Sequence, residues 1–262
     1  MLNNFKACKL TRESDRLIAI SGLAHLLQPL LDCRYLAGIW EDNLVVQLMW
    51  RNVSESSRPK TYRAPSWSWA SRSGSIISYD SNMCDVAERV WYKQDDEESC
   101  RELVRVCDVG VANTDGDPLG HVTYRCLRLK GILIPTIIDP DPEPDYETPG
   151  GQILRMRGVE VSLLQDISGE SPVGRFFCMM CLHTRICFDG YFEYAQGLLL
   201  RPTGIEKGQH QRVGHITTTG RNKTISHICT PLNRDQQEMG IMTDDFYEEY
   251  DAETEHYTCT II

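Results

Sequence analysis

The chain lacks any long apolar run. No stretch approaches the roughly 18 to 20 consecutive apolar residues of a membrane-crossing helix, so no membrane partner is expected. Its first residues, Met1 to Leu10, hold no apolar core of the secretory type. No Gly-x-Ser-x-Gly turn is present to raise a serine nucleophile. The loop Gly204-Ile205-Glu206-Lys207-Gly208 lacks the Gly-Lys-Ser/Thr ending that sets a lysine and a metal-binding hydroxyl on phosphates; it reads as a hairpin connection. Basic residues are missing from the C-terminal end, where nine acids and no lysine or arginine follow Arg234. The net charge of −10 resides there, and residues 1–234 carry 27 bases against 28 acids. A body so balanced offers no general attraction to phosphate backbones, and no nucleic-acid partner is expected.

What is present is ordinary. Hydrophobic residues make up 41% and charged residues 24% of 262 positions, enough chain to bury a sizeable core as one large domain or two small ones. Cysteines number eleven. An odd count without a leader reads as reduced thiols in an intracellular protein, with a cytoplasmic location expected.

The first fifty residues predict helices. From Leu17, apolar residues recur at Ile20, Leu23, Ala24 and Leu27, with Ser14 and Asp15 as capping residues and Pro29 as a stop or kink. A second helix is predicted from about Asp42 to Arg51, carrying Leu44, Val45, Leu48 and Met49 on one face. The polar stretch Asn52–Lys60 is a loop. In Ala64–Ser71, Trp67 and Trp69 alternate with serines, predicting an extended segment with both rings on one side. From Glu102 the pattern turns to strands: Val104–Val111 with a bulge near Cys107, Val122–Ile134, Ile153–Leu164, Arg175–Phe188, Tyr191–Arg201 and Gln211–Thr218. Asp115–Gly120 is a turn, and the acid- and proline-rich Asp139–Gly151 an exposed loop. The fold class is α+β: short N-terminal helices, then a mainly antiparallel sheet or sandwich of about six strands. Residues 1–60 form the helical segment, 61–235 the β-rich domain, and 236–262 an acidic, disordered tail.

Several segments together resemble fungal heterokaryon-incompatibility (HET) proteins. They are Leu10-Thr11 followed by Ser14-Asp15-Arg16 and the apolar run to Ala24; Tyr35–Trp40 with Leu48 and Trp50; Tyr62–Ser71; Gly197–Thr203; and Gln211–Gly214. Their order over about 200 residues is that of the portion downstream of the HET domain proper. The resemblance implies a C-terminal portion lacking that domain, which is the part similar to TIR-type signalling modules and linked with death on non-self contact. It transfers no catalytic or cofactor residue, and none is expected. It singles out Asp15, Arg16, Trp67, Trp69, Gly197, Arg201 and Gly214 as structural motif positions.

Other constellations read as structure. Cys178, Cys181, His183 and Cys187 have zinc-like spacing, yet on a strand Cys178 and Cys181 point to opposite faces, so buried thiols are expected. Asp139, Asp141, Glu143, Asp145 and Glu147 alternate like calcium ligands, but prolines 140, 142 and 144 stiffen the segment and the turning glycine is missing. Trp67 and Trp69 read as core anchors rather than a stacking platform. The acidic tail has a second reading, docking onto Arg201, Lys207, Arg212, Arg221 and Lys223 through charge and the grip of Phe246, Tyr247, Tyr250 and Tyr257. The expected function is a non-enzymatic regulatory or protein-interaction module in self/non-self recognition, partnered by a protein or by the HET domain it lacks. The alternatives are a hydrolase or nucleotide-processing enzyme, or a truncated fragment without independent function. An exposed apolar patch on the helices favours the module; displaced ionisable groups converging on a cleft favour the enzyme.

Overall fold

The computed structural model describes residues 15–52, 55–77, 100–113, 122–141, 143–146, 150–170, 172–187, 191–221, 225–231 and 242–262. Leu10, Thr11, Ser14, the expected turn Asp115–Gly120 and Lys223 lie outside them.

Helix α1 (Arg16–Leu31) follows Asp15, which takes the N-cap position without a side-chain capping bond. The 3.6-residue stripe is real: Leu17, Ile20 and Ala24 are buried. Pro29 sits inside the last turn without ending the helix, which closes at Asp32 in the left-handed region. A hairpin of β1 (Tyr35–Leu36) and β2 (Ile39–Trp40) turns at Ala37 and Gly38, both at positive φ. The second predicted helix shrinks to α2 (Leu44–Gln47). Gln47 explains part of that: its side chain accepts from the Trp40 N–H and donates to the Trp40 and Asp42 carbonyls. The chain then leaves as β3 (Arg51–Asn52), which pairs with β4 (Ile76–Ile77).

The Trp67–Trp69 segment is a turn rather than the expected extended run. The Ser68 hydroxyl accepts from the Ala70 N–H and caps a 3-10 turn over Trp69–Ser71. Both indoles are buried, as the core reading required.

The remaining strands are β5 (Cys100–Glu102), β6 (Val104–Asn113), β7 (Val122–Gly131), β8 (Leu133–Ile138), β9 (Pro144–Asp145), β10 (Gly151–Met156), β11 (Val159–Gln165), β12 (Gly174–Cys187), β13 (Tyr191–Pro202), β14 (Gln209–Arg221), β15 (Glu249–Asp251) and β16 (His256–Ile261). They form one sheet of 12 strands, not about six. Its spine runs β5-β12-β13-β14-β11-β10-β9; β8 also lies on β12, and β16 links β14 to the β6–β7 pair. Every pairing in it is antiparallel except β14 with β16. The expected segment 153–164 is a hairpin folded at Arg157-Gly158, both at positive φ, a primed turn whose twist suits a two-residue connection. The expected bulge near Cys107 is present between Val106 and Asp108.

The tail expectation is corrected. Residues 242–262 are built into the sheet through β15 and β16. Alternation buries Tyr257, Cys259 and Ile261 along β16, and Tyr257 lies 4.8 Å from both Tyr247 and Tyr250. The tail's acids do find bases, but on β7: Glu248 and Glu249 pair with Arg128, and Asp251 with Lys130. Of the proposed cations, Lys207 lies over the Tyr247 ring.

The central strands are buried on both faces, which explains the nearly continuous apolar runs Phe176–Leu182 and Leu198–Leu200. Phe177, Met179, Cys181, Leu198 and Leu200 join one core with α1, α2, the tryptophans, β6, β7 and β16. Phe176, Cys178, Met180, Ala195 and Leu199 join a second core with β8, β10, β11 and Ile225–Cys229. Gly197 is required where β12 bulges between Met180 and Leu182, because a Cβ there would run into the Met179 carbonyl.

Candidate functional site

The start of α1, the Ala37–Trp50 and Ser66–Gly74 segments and β14 meet at one buried junction. Its centre is Arg212 on β14, fully buried, with its guanidinium stacked 3.5 Å over the Trp50 ring. Arg212 Nε donates to Asp166 at 3.0 Å, and its terminal nitrogens donate to the Leu48 and Trp50 carbonyls and to the second Asp166 oxygen. Asp166 is held in turn, its carbonyl accepting from Asn52 and Ser56. A buried charge pair persists only when its remaining hydrogen-bonding capacity is met, and here the backbone of the α2 segment meets it. Burial pulls the Arg212 guanidinium pKa down, and Asp166 opposes that.

Further links radiate from this centre. Arg72 donates to the Arg212 carbonyl at 3.2 Å. Arg16, at the start of α1, donates to the carbonyls of Arg72 and Gly74. Arg16 thus holds the backbone of Arg72, Arg72 that of Arg212, and Arg212 that of Leu48 and Trp50. The Ser66 hydroxyl accepts from the Arg212 N–H and donates to the Ile262 carbonyl, while the Ile262 N–H donates to the His210 carbonyl. The Trp50 indole donates to the Trp67 carbonyl at 2.8 Å, and the Trp69 indole to the Gly38 carbonyl at 2.7 Å. Ser68 donates to the neighbouring Ala37 carbonyl at 2.6 Å. Gly38 suits both its positive φ and the closeness of Trp69, whose Nε1 would lie 2.6 Å from an added Cβ.

The predicted motif positions each have a visible structural place. Arg16, Trp67 and Trp69 lie in the junction. Gly197 admits the β12 bulge, and Gly214 brings β14 close to β11, where a Cβ would lie 2.8 Å from Leu163. Arg201 sits apart: it donates to Gln211 and lines a cleft described below. Asp15 takes the N-cap position of α1. Sequence reasoning missed Asp166, Arg72, Ser66 and the central role of Arg212. A single arginine bounded by Gln211 and Val213 in a strand is the one available hint, and its acid partner is far away in the chain.

The junction's chemistry is that of a core. Burial pushes the thiols of Cys178 and Cys181 up to about 12, so they stay protonated and poorly nucleophilic. The two face opposite cores, as the strand reading required. His210 is pulled down to about 4 by burial, against its bond to the Gly208 carbonyl. His215, bonded to Gln196, is held well below its ordinary value by burial and by Arg212 and Arg51. Both imidazoles are neutral at pH 7.

That has a pH signature. The unfolded chain takes up protons on these histidines below the ordinary value of 6.5, whereas folded His210 resists protonation down to about 4. The unfolded state therefore binds more protons in that window, and stability falls as pH falls through it. The loss attributable to His210 is about 3 kcal/mol across the full window. Urea midpoints at pH 7 and 4.5 are expected to differ markedly less in His210→Asn than in the wild type; an equal difference in both removes His210 as the cause.

Among the described residues, concavities lie outside the junction. One, of about 710 Å³, is an open polar groove including Glu143, Tyr146, Glu160, Ser162 and Thr217. Another, of about 230 Å³, includes Gln165, Ile167, Glu170, Phe176, Arg201 and Val213. The outer face of α1 is apolar: Ile18, Leu26, Leu30 and Leu31 are 48%, 72%, 79% and 52% exposed. No described helix is long and apolar enough to cross a membrane. Comparison of the chain with protein-family models, curated proteins and solved structures finds no match.

Proposed function

We propose that this chain is a non-enzymatic regulatory and protein-interaction module of the kind found downstream of a HET domain. The observation that carries this reading is the outer face of α1. Ile18, Gly22, Leu26 and Leu30 follow one another at four-residue spacing, so they form a single row opposite the buried stripe. The helix contains no acid, and its one full charge, Arg16, is turned to the backbone of Arg72 and Gly74. An amphipathic helix would place charge on that face; an apolar row rimmed by polar residues suits an apolar protein partner. The resemblance supplies the partner: a HET domain docked on the helical side. The buried junction supports the same reading, because it spends the motif residues on holding the helices to the sheet. The enzyme alternative requires displaced ionisable groups lining a cleft, and His210, His215, Cys178 and Cys181 are displaced within the cores instead.

The test is the double variant Leu26→Glu/Leu30→Glu. The wild-type chain is expected to bind a purified HET domain taken from a protein whose downstream portion resembles this chain. Each buried leucine contributes about 1.5–3 kcal/mol to such a contact, so the variant is expected to bind at least about tenfold more weakly. Its thermal midpoint is expected to stay within about 2 °C of the wild type, because both side chains are exposed. Equal binding by the variant, or no binding by the wild type, overturns the reading.

A further inference from the structure

We propose that the cleft beside Arg201 is a binding site for a small organic carboxylate with an apolar body. This site is separate from the α1 face and does not depend on it.

The cleft sits where the ends of β11, β13 and β14 meet the start of β12. Gln165 comes from β11, Arg201 from β13, Val213 from β14 and Phe176 from β12, with Ile167, Glu170, Pro172 and Val173 forming the rim. Four strands of one sheet thus fix the wall, and a site on strands is held more precisely than one on loops. Phe176 and Ile167 are buried side chains whose surfaces close the cleft, and Val213 adds to the apolar side.

The electrostatics select the ligand's charge. Arg201 is half-buried, and its hydrogen bond in the described structure goes to a neutral acceptor, Gln211 Oε1, at 3.3 Å. Among the described residues no carboxylate forms an ion pair with it. Glu170 also lines the cleft, but both its oxygens are taken by Arg58 in a two-pronged pair at 3.1 Å. The cleft therefore holds one uncompensated positive charge, next to apolar walls that weaken screening. A guanidinium fork matches a carboxylate, accepting geometry and charge together. Inorganic phosphate lacks an apolar body to set against Ile167, Phe176 and Val213, and a free cation finds Arg201 in its way.

Size selects the rest. The cleft's volume is about 230 Å³. It lies below the range of drug-sized sites. It fits an acid of benzoate size, with the carboxylate on Arg201 and the body against Ile167, Phe176 and Val213. The Gln165 amide already donates to Gln152 at 2.8 Å, so it lines the site in a fixed orientation.

The test is a titration of the full chain with sodium benzoate, followed by two-dimensional NMR of backbone amides and the Arg201 Nε–H. Saturable shifts at Ile167, Val213 and Arg201 are expected, with a Kd of about 1 mM or tighter. Benzamide, the neutral isostere, and inorganic phosphate are expected to leave those signals in place. Arg201→Gln is expected to weaken benzoate at least about tenfold, and Arg201→Lys, which keeps the charge without the fork, to fall between it and the wild type. No saturable shift in the wild type, equal binding of benzamide, or undiminished binding by both Arg201 variants overturns the proposal.

Discussion

Replacing Arg212 with leucine is expected to destabilise the protein by about 3–5 kcal/mol. The reason is what remains behind. Asp166 is 1% exposed and would be left buried without the guanidinium that pairs with it. The Leu48 and Trp50 carbonyls would lose their donor inside the core. Arg212→Lys is expected to recover little, since an ammonium cannot reach Asp166, Leu48 and Trp50 at once or stack on the Trp50 ring. Asp166→Leu alone leaves the reverse orphan and should cost a similar amount. The double variant Arg212→Leu/Asp166→Leu removes both charges together, so its loss should fall short of the two single losses added, by about 2 kcal/mol. Urea denaturation of the two single variants and the double measures this directly. Additive losses would mean that the pair is not coupled.

The second large effect is at the tryptophans. Trp67→Ala and Trp69→Ala are each expected to cost about 3–5 kcal/mol, from lost transfer energy and the cavity left behind. In a chain of this size that lowers Tm by roughly 10 °C. The two differ in detail. Trp67 lies at the middle of the junction, with its carbonyl tied to Trp50. Trp69 fills the space against Gly38, and its indole holds the Gly38 carbonyl. Trp69→Phe keeps most of the ring and forfeits that bond, so its cost is expected to be about 1–2 kcal/mol. Differential scanning calorimetry of the three variants checks the order. An unchanged melt in either alanine variant, together with loss of a ligand, would make these rings a binding platform instead.

The sequence was legible where the physics is local. Leu17, Ile20 and Ala24 announced α1 by period alone, and the phase slip at Cys107 marked the β6 bulge. The apolar runs of β12 and β13 stood out because both their faces are buried. Elsewhere, local patterns were overridden. Serine–tryptophan alternation resembled a strand, but the Ser68 hydroxyl turned it into a 3-10 turn. The acids after Arg234 masked the alternation of Tyr257, Cys259 and Ile261, because charge in the adjacent turn outweighed a six-residue strand. Arg157-Gly158 hid a hairpin inside what reads as one strand. The junction itself was not legible. Arg212 and Asp166 are separated by 46 positions, and no spacing rule joins a buried arginine to an acid that far away. Only the folded chain shows that Arg16, Leu48–Trp50, Ser66–Arg72 and Arg212 converge, and that they do so to hold structure together.

Arg16, Trp67 and Trp69 face inward as architecture, while α1 presents an exposed apolar face. One urea denaturation series tests it, with the wild type, Arg212→Leu and Leu26→Glu/Leu30→Glu measured side by side at pH 7. The expected result is a loss of about 3–5 kcal/mol for Arg212→Leu, with the α1 variant within about 0.5 kcal/mol of the wild type. A stable Arg212→Leu protein, or an α1 variant that unfolds, would contradict it.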